Sequence, residues 1–154
     1  MSMSDSLEQL KCVLLTTNVD KIVLPNAAVA EIVPVRNLIN VANKPGWLLG
    51  YLDWRSQSIP LVSFELIGGI RMPSLSSQEV KAAVVYTISD ERKFNFMAFL
   101  IQGAPHAVNV VPTDVIADNL PSEHPAIEQR VLVKGQQASV INLEKLETII
   151  KDVI

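Results

Sequence analysis

Apolar residues run through this chain in short blocks, broken by polar corners and by proline or glycine. The central example is Gly50 to Gly69, GYLDWRSQSIPLVSFELIGG. Strand formers mixed with charge (Leu52 to Arg55) lead into a polar corner, Ser56-Gln57-Ser58. An apolar run, Ile59-Pro60-Leu61-Val62, follows, then Phe64-Glu65-Leu66-Ile67 and a closing Gly68-Gly69. This order predicts strand, tight turn, strand, short helical turn and glycine stop. Pro60 near the start of its run fits a strand end better than a strand centre.

The same blocks predict strands over Lys11 to Thr17, Lys21 to Leu24, Glu31 to Val35, Val80 to Ile88, Phe94 to Gln102, Ala107 to Val111, Val131 to Val133 and Ala138 to Ile141. Turns are predicted at Asn18-Val19-Asp20, at Ser89 to Lys93 and at Lys134-Gly135-Gln136-Gln137. Single helical turns are predicted at Ala27 to Ala30 and at Pro112 to Val115, and a loop at Asn119 to Glu128. One longer helix closes the chain. Asn142 is its cap, Glu144 lies in its positive first turn, and Leu143, Leu146, Ile149, Ile150 and Val153 form one apolar stripe. The expected fold is all-β: about ten short strands in two packed five-stranded barrels, with a C-terminal amphipathic helix.

The central block recurs. Arg55-Ser56-Gln57-Ser58 aligns with Lys134-Gly135-Gln136-Gln137, and Leu61-Val62-Ser63-Phe64-Glu65 with Val140-Ile141-Asn142-Leu143-Glu144, an offset of 79 residues. Upstream, Ala30 to Pro34 aligns with Val108 to Pro112 at an offset of 78. The chain therefore reads as two copies of one small β unit. Residues 1–10 form a polar leader and 11–154 a single domain of two interleaved or tandem β-barrel halves, with a seam in the Pro/Ser-rich stretch near 70–79.

Composition narrows the function classes. The chain has 154 residues, 49% of them hydrophobic but 5% aromatic, so the core is aliphatic. Net charge is −3 and the basic residues are scattered, against a nucleic-acid footprint. The single cysteine, Cys12, excludes a disulfide framework and suits a reducing compartment. The polar, acidic start argues against export, and no apolar run reaches the roughly 18 residues of a membrane span. A cytoplasmic location is expected.

Reactive groups are sparse. His106 and His124, the two histidines, stand beside prolines with no ligand-spaced companion, and read as loop histidines. Asp53 and Ser56 lack a nucleophile elbow, so a hydrolase is the weakest reading. No phosphate-binding glycine loop is present, and no cofactor or metal is expected. Several residues sit oddly for a plain barrel. Glu31 lies between apolar neighbours, Trp54-Arg55 meets a turn, and Trp47 and Tyr51 flank Leu48-Leu49-Gly50. Trp, Tyr and Arg dominate binding hot spots. Two readings stand side by side: an internal Glu31–Arg55 pair with Trp47 and Trp54 covering a barrel mouth, or a partner-binding surface. A pocket near Trp47, Trp54 and Arg55 for a small molecule is the alternative function.

The run Val29-Ala30-Glu31-Ile32-Val33-Pro34, then Pro45-Gly46-Trp47-Leu48-Leu49-Gly50, then Trp54-Arg55-Ser56-Gln57-Ser58-Ile59-Pro60-Leu61-Val62, resembles the CheW-like coupling domain of bacterial chemosensory systems. That pattern is V-x-E-I, a polar connector, P-x-x-V-x-G, and N-L-R-G-x-x-x-P-V-x-D-L. The resemblance spans Lys11 to Ile150. It implies two five-stranded SH3-like barrels and no catalysis. It also implies a bridging role between methyl-accepting chemoreceptors and a chemotaxis-type histidine kinase. The kinase regulatory domain would pack against one barrel, and the receptor signalling tip would lie in an apolar groove between the barrels. Val29, Glu31, Gly50 and Arg55 would belong to the receptor-coupling face, with Trp54 beside them; Gly50 would let a helix approach closely. The chain departs from the pattern at Ser56 (family Gly), Asp53-Trp54 (Asn-Leu), Ser63-Phe64 (no Asp) and Ile101-Gln102 (Val-Asp). It reads as a divergent member, with a pathway controlling twitching by type IV pili as one expected setting.

Overall fold

The computed structural model describes residues 9–17, 21–36, 38–70, 80–91, 93–118 and 122–154. Most of the expected leader, the turn at 18–20 and the seam near 70–79 (all but Ile70) lie outside those residues.

Ten strands are described: β1 (Leu10–Thr16), β2 (Lys21–Pro25), β3 (Val29–Pro34), β4 (Leu48–Trp54), β5 (Gln57–Val62), β6 (Val80–Tyr86), β7 (Phe96–Val110), β8 (Val115–Ala117), β9 (Ile127–Val133) and β10 (Gln136–Ile141). Two helices join them, α1 (Phe64–Ile67) and α2 (Leu143–Lys151), with 3-10 turns at Asn26–Ala28 and Pro112–Asp114. The fold is the expected pair of SH3-like β subdomains. Barrel 1 contains β3, β4, β5, β6 and the first half of β7. Barrel 2 contains β1, β2, β8, β9, β10 and the second half of β7.

The halves are interleaved rather than consecutive. The N-terminal β1–β2 hairpin belongs to barrel 2, where β2 runs parallel to β10 (Ile22 opposite Ser139). The β6–β7 hairpin joins barrel 1 in the same way, with β7 parallel to β5 (Ala98 opposite Leu61). β7 is one 15-residue strand where two were expected. It pairs with β6 from Phe96 to Gln102 and with β1 from Gln102 to Val110, so it is a spine common to both barrels.

This topology corrects the upstream half of the repeat. The downstream offset of 79 holds, since β4, β5 and α1 correspond to β9, β10 and α2. Ser63 and Asn142 are matching helix caps, accepting from Leu66 N–H (3.1 Å) and Lys145 N–H (2.9 Å). The counterpart of β3, however, is β8 after the Pro112–Asp114 turn, an offset of 86, and not the end of β7. β8 has three residues and a half-exposed apolar pattern, too short to register as a strand by periodicity.

Three apolar cores explain the continuous hydrophobic runs. Barrel 1 encloses Leu52, Trp54, Ile59, Leu61, Ala82, Val84, Ala98 and Leu100. Barrel 2 encloses Cys12, Leu14, Val110, Val131, Val133 and Ala138. A third, larger core lies between them and takes the alternate residues of the same strands: Val13 and Leu15, Ala83 and Val85, Met97, Phe99 and Ile101, joined by Phe64, Leu146 and Ile150. β1, β6 and the first half of β7 are thus buried on both faces and lack the alternation of a half-solvated strand. α2 packs into the core between the barrels through Leu146 and Ile150.

Candidate functional site

Three of the five residues singled out by the sequence meet at one end of barrel 1. Trp54 ends β4, and Arg55-Ser56 form the two-residue turn into β5; Gln57 and Ser58 already belong to β5. Both turn residues have positive φ, 47° and 63°. That backbone matches the twist of a tight hairpin but costs a residue with a Cβ roughly 1–2 kcal/mol. Ser56 holds the left-handed conformation without the freedom of glycine and accepts that cost.

The turn brings Arg55 back over its own strand. The guanidinium lies 4.6 Å from the centre of the Trp54 ring. Its Nη2 donates to Glu31 Oε1 at 3.2 Å, and the Trp54 indole Nε1–H donates to the same oxygen at 3.0 Å. Glu31 sits on β3 opposite Val84, and β6 carries it to the corner. The arginine side chain is 66% exposed and the glutamate 43%, whereas Trp54 as a whole is 6% exposed. An ion pair this exposed contributes at most about 1 kcal/mol. Its effect is geometric: stacking and one shared oxygen fix a guanidinium that otherwise faces water.

The aromatic contact continues across the barrel end. Trp54 meets Phe96 edge-on (4.7 Å between centroids), and Phe96 meets Tyr86 at 5.2 Å. Tyr86 is 46% exposed and Ile88, just beyond it, 56%. The sequence reading missed this row. The signal was present, because the hairpin turn expected at 89–93 places Tyr86 opposite Phe96.

The other two residues lie elsewhere. Val29 starts β3, opposite Val85, and packs on the central core. Gly50 is buried in β4 with φ +150°; a Cβ there would lie 2.4 Å from the Ile39 carbonyl oxygen. The chain's own connector occupies the space beside Gly50, pairing Ile39 with Tyr51 in both directions (2.8 and 2.9 Å). Close approach is thus used internally, not left open for a helix. Trp47 packs on the central core and Trp54 in barrel 1, so the two tryptophans do not converge with Arg55 on one pocket.

The remaining reactive groups are built into the scaffold. Cys12 is buried and its thiol is pushed up by desolvation. His124, read as an ordinary loop residue, is buried at 8% exposure with both ring nitrogens bonded to backbone. Glu147, in the polar part of the α2 pattern, is also buried; its Oε1 accepts from the Ile88 and Ser89 amides at 2.9 and 3.1 Å. Among the described residues no cluster of His, Cys, Asp and Glu could hold a metal, and no helix is long and apolar enough to cross a membrane.

Paired SH3-like barrels that share one long strand, with a guanidinium held at one barrel end, define the class of β fold. The chain belongs to the CheW-like domain family, whose profile matches residues 11–149. Its fold is similar to that of the scaffolding protein TtCheW from Thermoanaerobacter tengcongensis. The TM-score is 0.71 at 13% identity, over 87% of this chain and 84% of that one. No curated protein sequence is a significant match.

Proposed function

We propose that this chain is a non-catalytic adaptor that couples bacterial chemoreceptors to a chemotaxis-type histidine kinase. Membership of the CheW-like family supports the reading, as does the likeness to a structure described as a scaffolding protein. The observation that carries it is the Glu31–Trp54–Arg55 corner. Pinned by stacking and one carboxylate oxygen, the guanidinium has little freedom left to lose on binding, and it presents N–H donors to a partner carboxylate. Val29 and Gly50 shape the same face indirectly, one through the central core and the other through the connector. The kinase regulatory domain would take the other contact, and the protein would work in the cytoplasm beside receptor arrays. A pathway driving type IV pilus twitching is the finer form of the reading.

The test is calorimetry of the purified chain against a receptor signalling-tip fragment and a kinase regulatory domain. Both should bind at tens of micromolar or tighter. Arg55→Ala should weaken the receptor fragment roughly tenfold, the loss of one charge-assisted contact, with unchanged melting. Absence of binding to either partner would remove the adaptor reading for that pair. Loss of cooperative unfolding in Arg55→Ala would mark the arginine as structural. Deletion of the gene, scored for swimming and twitching, separates the two pathway types.

A further inference from the structure

His124 joins the two barrels through a ring that has to be uncharged. It lies in the loop ahead of β9, on the barrel 2 side. Its imidazole stacks on the Phe64 ring of α1, which follows the last strand of the barrel 1 hairpin; the centroids are 3.9 Å apart and the planes 17° apart. Nε2 is 2.7 Å from the Phe64 carbonyl oxygen, and Nδ1 is 3.0 Å from the Ala126 amide nitrogen. A carbonyl can only accept and an amide N–H can only donate. The proton is therefore on Nε2 and the lone pair on Nδ1, so the neighbours select one neutral tautomer. Gly68 closes the ring's edge, since a Cβ there would lie 2.4 Å from Cδ2.

A second proton has to go on Nδ1. It would set two donors face to face at the 3.0 Å now spanned by the Ala126 bond. Either the buried Ala126 amide loses its acceptor or the ring leaves Phe64. Ala126 also anchors α2, because its carbonyl oxygen accepts from the Asn142 amide at 2.7 Å, at the cap of that helix. We propose that His124 is a proton-released clasp between the barrels: neutral, it pins the loop before β9 to α1, and protonated, it frees that loop and the α2 junction behind it.

The groups around the ring set the direction. Burial lowers its pKa below the ordinary 6.5, opposed by the Phe64 carbonyl and by the carboxylate of Glu65 on α1, both of which favour the charged ring. On its own loop, Ser122 Oγ accepts from the His124 amide at 3.2 Å, and Glu123 is exposed. The turn after α1 offers uncharged Gly68. Because burial prevails, the unfolded chain binds the proton more readily than the folded one. The clasp's contribution is complete above the ordinary histidine pKa, drains away as pH falls below it, and changes no further once the folded ring is itself protonated.

The test is NMR on the full-length wild-type chain from about pH 8 to about pH 5, following both histidine rings and amide exchange. His106→Gln assigns the two ring signals. The His124 midpoint should fall below the ordinary histidine value. Over the same interval Ala126 exchange should accelerate roughly tenfold relative to buried barrel 1 amides such as that of Ala98. His124→Phe, which keeps the stack, should flatten that response. A midpoint at or above the ordinary value would overturn the clasp, and so would Ala126 exchange that tracks the reference amides throughout. The wild-type titration decides the matter even where the variant fails to fold.

Discussion

The β4–β5 corner of barrel 1 and the β9–β10 corner of barrel 2 are the same turn put to different ends. Each has two residues, both at positive φ: 47° and 63° at Arg55-Ser56, 50° and 81° at Lys134-Gly135. Barrel 2 meets the second position with glycine, where that backbone is free of penalty, and its Lys134 amide simply donates to the Asp114 carbonyl at 2.9 Å. Barrel 1 meets it with serine. At the positions matching Trp54 and Glu31, barrel 2 has Val133 and Ala117. One corner is therefore plain and the other carries an indole, a carboxylate and a guanidinium on the same backbone. The two barrels share the turn, and the side chains of barrel 1 alone make the corner polar. Converting barrel 1 into barrel 2, residue by residue, separates scaffold from corner.

The largest effects should come from the interiors. Leu61 is fully buried in barrel 1, while its counterpart Val140 is half-buried in barrel 2. Leu61→Ala should cost about 2–5 kcal/mol and Val140→Ala about 1 kcal/mol, read from urea midpoints at constant m. Equal costs would mean that the two interiors are equally tight. Trp54→Val installs the barrel 2 residue and should cost about 2–4 kcal/mol, since it empties the space beside Phe96 and removes the indole donor to Glu31. A loss under about 1 kcal/mol would show Trp54 to be a surface cover and not a core element.

What was legible in the sequence divides along the same line. Both hairpins, the Asn142 cap and the downstream offset could be read because turns and caps are local chemistry. The meeting of Glu31 with Arg55 was legible as one of two readings, since a lone carboxylate in an apolar strand asks for a cation. Interleaved and tandem halves could not be told apart, because periodicity says which residues are buried but not against which partner. Strands buried on both faces, such as Val80–Tyr86, give no alternation from which to tell a barrel interior from the core between barrels. Gly50 illustrates a third kind of miss. Glycine announces close approach, but the approaching backbone, Ile39, lies in a polar connector with no pattern to place it.

The turn residues give a smaller effect of opposite sign in the two barrels. Ser56→Gly relieves a Cβ from the left-handed region and should stabilise by about 1 kcal/mol, less what glycine adds to the entropy of the unfolded chain. Gly135→Ser puts that Cβ into barrel 2 and should destabilise by a similar amount. For a chain of this length each change corresponds to a shift of about 2–4 °C in melting temperature, well within calorimetric reach. If both substitutions destabilise, the Ser56 hydroxyl has a compensating partner and the two turns are not equivalent.

Arg55→Lys, again the barrel 2 residue, should change stability least, by less than about 0.5 kcal/mol. Its ion pair with Glu31 is exposed to water and screened by salt. Lysine keeps the charge but loses the planar face that stacks on Trp54 and the fork of donors that can serve Glu31 and a partner carboxylate together. The variant should therefore melt with the wild type while binding the receptor fragment less tightly. That weakening should persist at an ionic strength that has already screened the simple attraction of charges. If lysine binds as well as arginine at every salt concentration, charge alone suffices at this corner. The indole and the strained turn beneath it would then be features of the barrel rather than of recognition.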